Sequence, residues 1–228
     1  MSITQRILES AQSQWSKLTS LVIVDDEPLS HVEGPELQAE LAARNVGAGR
    51  ARGRWLAFCD ADDVVARDWL SRMCAALECH AFVAGRFEGR LLNDARTLRS
   101  RPLEQQDGLQ AATMGAQLSH AGAGNMGIHL DLFAQVGGFD STMRCLEDTD
   151  LSWRVQQLGV PLQYHPDVVV HVRLRSTLYG MLRQGRDYGA AHAELQRRHG
   201  VLGEQILSLI HISEPTRRTP ISYAVFCL

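Results

Sequence analysis

Apolar positions recur along this chain in two periods. Ile3, Ile7, Leu8, Ala11, Trp15 and Leu18 fall three or four residues apart and predict an amphipathic helix. It runs into Leu21 to Val24, a short β-branched strand that stops at Asp25, Asp26, Glu27 and Pro28. Residues 35–52 read as a second helix, with Gly47, Gly49 and Gly53 releasing the chain into the next strand. That strand, Trp55 to Cys59, is an apolar run that breaks abruptly into Asp60, Asp62 and Asp63. The stretch after it, VVARDWLSRMCAALE, reads as helical, with its regular part at Asp68 to Glu78. Ala81 to Ala84 and Phe87 to Leu92 read as strand or hairpin. Residues 93–108 are polar, Arg-rich and aperiodic, which predicts a surface loop over the site. A short helix ends in a turn at Gly137 to Asp140, and LSWRVQQLG is a helix closed by Gly159. Val168 to Val172 is a strand, with His165 in the loop before it, and residues 176–200 form a last helix.

Strands and helices alternate, so the fold class is α/β: a Rossmann-like mixed sheet flanked by helices. With 228 residues, 45% hydrophobic and 21% charged, the chain is long enough for one core and too short for two full domains. The net charge of −3 excludes nucleic acid as the main partner, because no excess of Lys and Arg is available to neutralise phosphates along a groove. Cys59, Cys74, Cys79, Cys145 and Cys227 are odd in number and lack paired metal spacing, which points to reduced thiols and a cytoplasmic location. No apolar run is long enough to span a bilayer.

Candidate chemistry sits where strands end. Asp60, Asp62 and Asp63 arrive at the C-terminal end of a buried strand, where open α/β sheets bind ligands, and grouped hard oxygens there suit Mg²⁺ or Mn²⁺ on a diphosphate. The competing reading of Asp63 is a helix N-cap. Asp25 and Asp26 read either as a turn or as a contact to a nucleotide's base or ribose. Asn45 and Arg52 could face the same site. Glu147, Asp148 and Asp150 precede a helix, where acids complement the dipole. A carboxylate free of metal in that group could also deprotonate an incoming hydroxyl.

These residues carry a resemblance. DDEP at 25–28, NVGAGRARGRWLAFCDADD at 45–63, GGFD at 137–140 and EDTDLSWRVQQLG at 147–159, in this order and spacing, resemble a family-2 glycosyltransferase of the GT-A fold. The resemblance implies a nucleotide-sugar donor, a saccharide or lipid-linked hydroxyl acceptor, and a metal-dependent, inverting reaction. It assigns Asp25, and with it Asp26, to the nucleoside. The DxD pair Asp60 and Asp62 falls on ribose and metal, with Asn45 nearby on the donor. Asp148 becomes the base, with Glu147 beside it to position the acceptor. His171, after a late strand, is the candidate third metal ligand; a hydrogen-bonding or core histidine is the competing reading.

Two departures from the family pattern set further expectations. Family members begin with a strand of the kind VSVVIPxYN, and this chain starts in the helix after it, so a sheet lacking its first strand is expected. Residues 207–228, LSLIHISEPTRRTPISYAVFCL, resemble translated sequencing adapter, dividing the chain into a partial GT-A domain at 1–206 and an artefactual tail. The readings that compete with an active transferase are an inactive sugar-nucleotide-binding fragment and a nucleotidyltransferase of similar plan. The basic positions Arg173, Arg175, Arg183 and Arg186 around the last helix make it a candidate for peripheral contact with an anionic membrane surface.

Overall fold

A computed structural model describes residues 44–60, 62–100, 103–111, 118–143, 145–174 and 178–199. The first helix, the strand ending in Asp25 and Asp26, and the tail at 207–228 lie outside the described residues.

The described chain opens with helical residues 44–50 (α1) and continues through β1 (Trp55–Cys59), β2 (Val64–Val65), α2 (Trp69–Cys79), β3 (Phe82–Glu88) and α3 (Ala95–Ser100). It then forms β4 (Asn125–His129), α4 (Leu130–Gln135), α5 (Glu147–Gln157), β5 (Gln163–His171) and α6 (Leu178–Arg198). The sheet order is β1-β4-β3-β5-β2, with β3 and β5 parallel and the other pairs antiparallel.

Strand alternation sorts the core into two layers. Leu56, Phe82, Ala84, Met126 and Ile128 face α4 and α5, where Leu132, Phe133, Leu151 and Val155 cover them. On the other face Val83, Val168 and Val170 pack on Trp69, Leu70, Met73 and Leu77 of α2. Fully burying side chains of this size stabilises by about 1.5–3 kcal/mol each. The α4/α5 face, with β1's Leu56 and the half-buried Phe58, is the face on which the next alternate position, Asp60, is delivered.

Several boundaries differ from the sequence reading. Gly47 and Gly49 lie inside helical residues 44–50, where Gly49 has open space around it. Val64 and Val65 form a strand paired with His171 and Val170, so α2 begins only at Trp69; β-branched residues beside a free strand edge pair rather than coil. Phe82–Glu88 is one continuous strand, not a hairpin reaching Leu92. Residues 93–108 contain the short helix α3 and the buried Gln105, whose side chain donates to Gly85 O at 2.7 Å.

Strand β4 was not predicted, because Asn125 and Gly127 disguise it. Gly127 lets α2 come close: a Cβ there would sit 2.4 Å from Met73 Sδ. Asn125, fully buried, accepts from Trp69 Nε1 at 2.9 Å and donates to Arg86 O and Val168 O, both at 2.9 Å. It thereby fills a break in the β3–β5 ladder, where the register jumps from Gly85↔His165 to Arg86↔Val169. His165 therefore belongs to β5 rather than to a preceding loop, and Pro166 falls in that bulge, where no ladder donor is needed.

Candidate active site

The acidic end of β1 and the acidic start of α5 meet across one short stretch of backbone. Asp60 lies against Gly124: a Cβ on Gly124 would be 2.7 Å from Asp60 Oδ2 and 3.6 Å from Asp63 Oδ2. The neighbouring Ala123 N donates to Asp148 Oδ2 at 3.2 Å. Two carboxylates from distant parts of the chain thus flank consecutive residues, and they are close enough for Asp148 to act electrostatically on Asp60. Small residues at 121–124 make this approach feasible.

Helix α5 is held in place along one side. Ala121 N donates to Ser152 Oγ at 3.3 Å, Trp153 Nε1 to Leu118 O at 3.0 Å and Gln156 Nε2 to Ser119 O at 2.8 Å. With Asp148, this stitches segment 118–123 to successive turns of the helix. Leu146, just before the helix, adopts a left-handed φ of 63°, and its burial with Trp153, Ala191 and Leu195 holds that conformation. Strain of this kind costs on the order of 1 kcal/mol or more and clusters at functional sites. Here it sets the direction in which Glu147 and Asp148 enter the helix.

The carboxylates crowd one another. Asp60 retains 40% of its side-chain surface, yet the protein around it pushes its carboxyl up; Asp62 and Asp148 add to the rise and Arg44 opposes it. Asp63 is 5% exposed, and burial, with Asp60 and Asp62 adding, pushes its carboxyl up to about 8. Its Oδ1 accepts from Arg173 N at 2.8 Å, which replaces the N-cap role: Asp63 ties β1's end to the end of β5 and does not begin α2. Asp62 is exposed.

His171 pairs in register with Val64, one residue beyond Asp63. Its Nδ1 is 2.7 Å from Glu88 Oε2, so it is neither buried among aliphatics nor unsupported. A ring nitrogen held by a carboxylate is the usual support of a metal-ligating histidine. Among the described residues, no three His, Cys, Asp or Glu side chains converge as a metal-holding group by themselves.

Asn45 is bonded to the GGFD turn. Its Nδ2 donates to Phe139 O at 2.8 Å and its Oδ1 accepts from Phe139 N at 3.0 Å, so both ends of the amide are spent on the GGFD turn. Arg52 is exposed, and Asp25 and Asp26 lie outside the described residues. Sequence reasoning passed over Arg44, which donates to Asp60 and Glu147, because an Arg beside a more conspicuous Asn in a helix reads as a solvated charge. It also passed over His120, which is 6% exposed, lies near Asp148 and Glu104, and has an Nδ1 without a hydrogen-bond partner among the described residues. Burial pushes this histidine's pKa down, although both carboxylates oppose that.

The family model described as Glycosyl transferase family 2 matches residues 4–137, more than half of the sequence. The chain belongs to that family, and its mixed α/β sheet is of the GT-A kind. The chain is 29% identical over 182 residues to a pre-mycofactocin glycosyltransferase of Mycobacterium tuberculosis, covering 77% of this chain and 38% of that protein. An uncharacterized glycosyltransferase of Haemophilus influenzae is 25% identical over 169 residues, covering 66% of this chain and 56% of the relative. The chain therefore spans between about a third and somewhat over half of these relatives' lengths. Among solved structures, the mannosyltransferase PcManGT from Pyrobaculum calidifontis, in complex with GDP-Man and Mn²⁺, aligns with a TM-score of 0.49 and 19% identity, covering 69% of this chain and 43% of that one.

Proposed function

We propose that this chain transfers a sugar from a nucleotide-sugar donor to a hydroxyl of a saccharide or lipid-linked acceptor, with inversion at the anomeric carbon. The observation that supports the reading is that Asp60 lies against Gly124 while Asp148 accepts from the N–H of the adjacent Ala123, so the carboxylates this reading assigns to donor and base flank consecutive residues. Family membership and relatives named as glycosyltransferases support the reaction class.

In this reading Asp60 and Asp62 would hold Mn²⁺ or Mg²⁺ on the donor diphosphate, and Asp25 and Asp26 would contact the nucleoside. His171, held by Glu88 through Nδ1, would join that metal only on moving toward Asp60 and Asp62, since no three such side chains converge among the described residues. The metal, when bound, offsets the charge that develops on the leaving diphosphate. Asp148 takes the proton of the acceptor hydroxyl as its oxygen bonds to the anomeric carbon, while the carbon–phosphate-oxygen bond breaks and its electron pair leaves with the diphosphate. Glu147 positions the acceptor. In this reading the reaction takes place in the cytoplasm, with the basic positions Arg173, Arg175, Arg183 and Arg186 around α6 as its proposed contact with the inner membrane surface. Among the described residues no helix is long and apolar enough to cross a membrane.

Calorimetry with UDP and with GDP, each with and without Mn²⁺, tests the donor half. One nucleotide should bind far more tightly with metal, and Asp62→Ala should abolish the difference. Equal, metal-independent binding by both proteins would remove Asp62 from the site.

A further inference from the structure

Arg44 stands between the two ends of this cleft. Its Nη2 donates to Asp60 Oδ1 at 2.7 Å and its Nη1 to Glu147 Oε1 at 3.3 Å. The Arg44 and Glu147 side chains are 13% and 12% exposed, whereas the Asp60 side chain is 40% exposed. The guanidinium is also fixed in place. It lies over the Phe139 ring, 5.7 Å from the centroid, and the next residue, Asn45, is bonded to the Phe139 backbone through both ends of its amide. A planar fork held this way can bridge two carboxylates from separate elements; an ammonium at the same position cannot span both with the same geometry.

We infer that Arg44 couples the donor end of the site to the acceptor end, dividing its charge between Asp60 and Glu147 so that occupancy of one is felt at the other. The inference rests on the reading of Asp60 as the carboxylate that meets the metal and diphosphate. Asp60, if it held a divalent ion, would pair less strongly with the guanidinium, and Arg44 would then lean on Glu147, the residue beside the candidate base. Linkage makes the coupling reciprocal. Without the Glu147 charge, Arg44 leans more heavily on Asp60, and the metal would meet a stronger competitor there. Arg44 is a positioning residue in this account: it reaches the reaction through Asp60 and Glu147.

The test is a Mn²⁺ titration followed by electron paramagnetic resonance, with UDP or GDP present, on the full chain and its variants. Glu147→Gln should weaken Mn²⁺ binding about fivefold, the low end of common coupling strengths. In an Arg44→Gln background the same substitution should change it less than about twofold, because the route is gone. Arg44→Lys should behave as Arg44→Gln does, and it carries the comparison should the glutamine variant fail to fold. A Glu147→Gln effect of equal size in every background would mean a through-space loss of negative charge and would overturn the coupling. So would no effect of Glu147→Gln in the wild-type background. Absence of nucleotide-dependent Mn²⁺ binding in the unsubstituted chain would instead overturn the metal reading, and the coupling with it, before any variant is compared.

Discussion

Asn45 and Phe139 are joined by a reciprocal pair of hydrogen bonds, the side-chain amide of one closing on the backbone N–H and C=O of the other. The pair ties the helix before β1 to the GGFD turn before α5, and that turn is also held by Arg154, which donates to Val136 O and to Gly138 O. Gly137 and Gly138 supply φ values of 81° and 71°, and a Cβ on Gly138 would lie 2.6 Å from Asn45 Oδ1. Asn45→Ala should therefore cost about 1–3 kcal/mol, the penalty of leaving buried backbone groups unpaired, and should loosen Arg44. Urea unfolding checks the first part. A midpoint equal to wild type would show that the turn holds itself.

Asn125 predicts a larger effect. Its amide satisfies Trp69 Nε1, Arg86 O and Val168 O at a position where the β3–β5 ladder is broken. Asn125→Leu fits the volume and strands all three groups, so a loss of about 3 kcal/mol or more is expected in the same unfolding measurement. A loss under about 1 kcal/mol would mean that water or a shifted strand replaces the amide.

Gly124→Ala separates the metal site from the fold. The added methyl meets the Asp60 carboxylate, which can rotate away, so the unfolding midpoint should move little while Mn²⁺-dependent nucleotide binding falls about tenfold. Unchanged binding would show that Asp60 already points away from the metal.

The junction of α5 with α6 should be sensitive to acid. Burial acts to raise the Asp150 carboxyl, but His199, at 2.9 Å, and Arg154, at 2.7 Å, hold it below the usual aspartate range. A carboxyl depressed in the folded state contributes stability above its unfolded pKa, and that contribution is lost as pH falls from about 4 through the lower folded value. Asp150→Asn should flatten the fall of stability with acid in that range and destabilise the protein near neutral pH. Parallel pH profiles for the two proteins would contradict the assignment.

How much of this could be read from residues alone follows from how local each signal is. The β1 run ending in Asp60, the GGFD turn and the α5 helix closed by Gly159 were all predicted, because each carries its own pattern within about ten residues. Strand β4 escaped because a central strand containing Asn and Gly is defined by what it fits against, Met73 and the β3–β5 break, and neither is visible in its own residues. The same holds for Asn45. Its chemistry suits a ligand contact, and only the folded turn shows that Phe139 takes both ends of the amide. Asp63 looked like a cap because a helical pattern follows it, but two valines were claimed by the edge of β5 first.

The central claim is that Asp148 acts on the acceptor proton while the Asp60–Asp62 end holds the donor. Its most direct test compares donor binding and sugar transfer for Asp148→Asn, which keeps the shape of the side chain and can still accept from Ala123 N. Transfer should fall by roughly 10²-fold or more, with donor affinity nearly unchanged. If Asp148→Asn weakens donor binding as much as Asp62→Ala does, Asp148 belongs to the donor site and the assignment of the base is wrong.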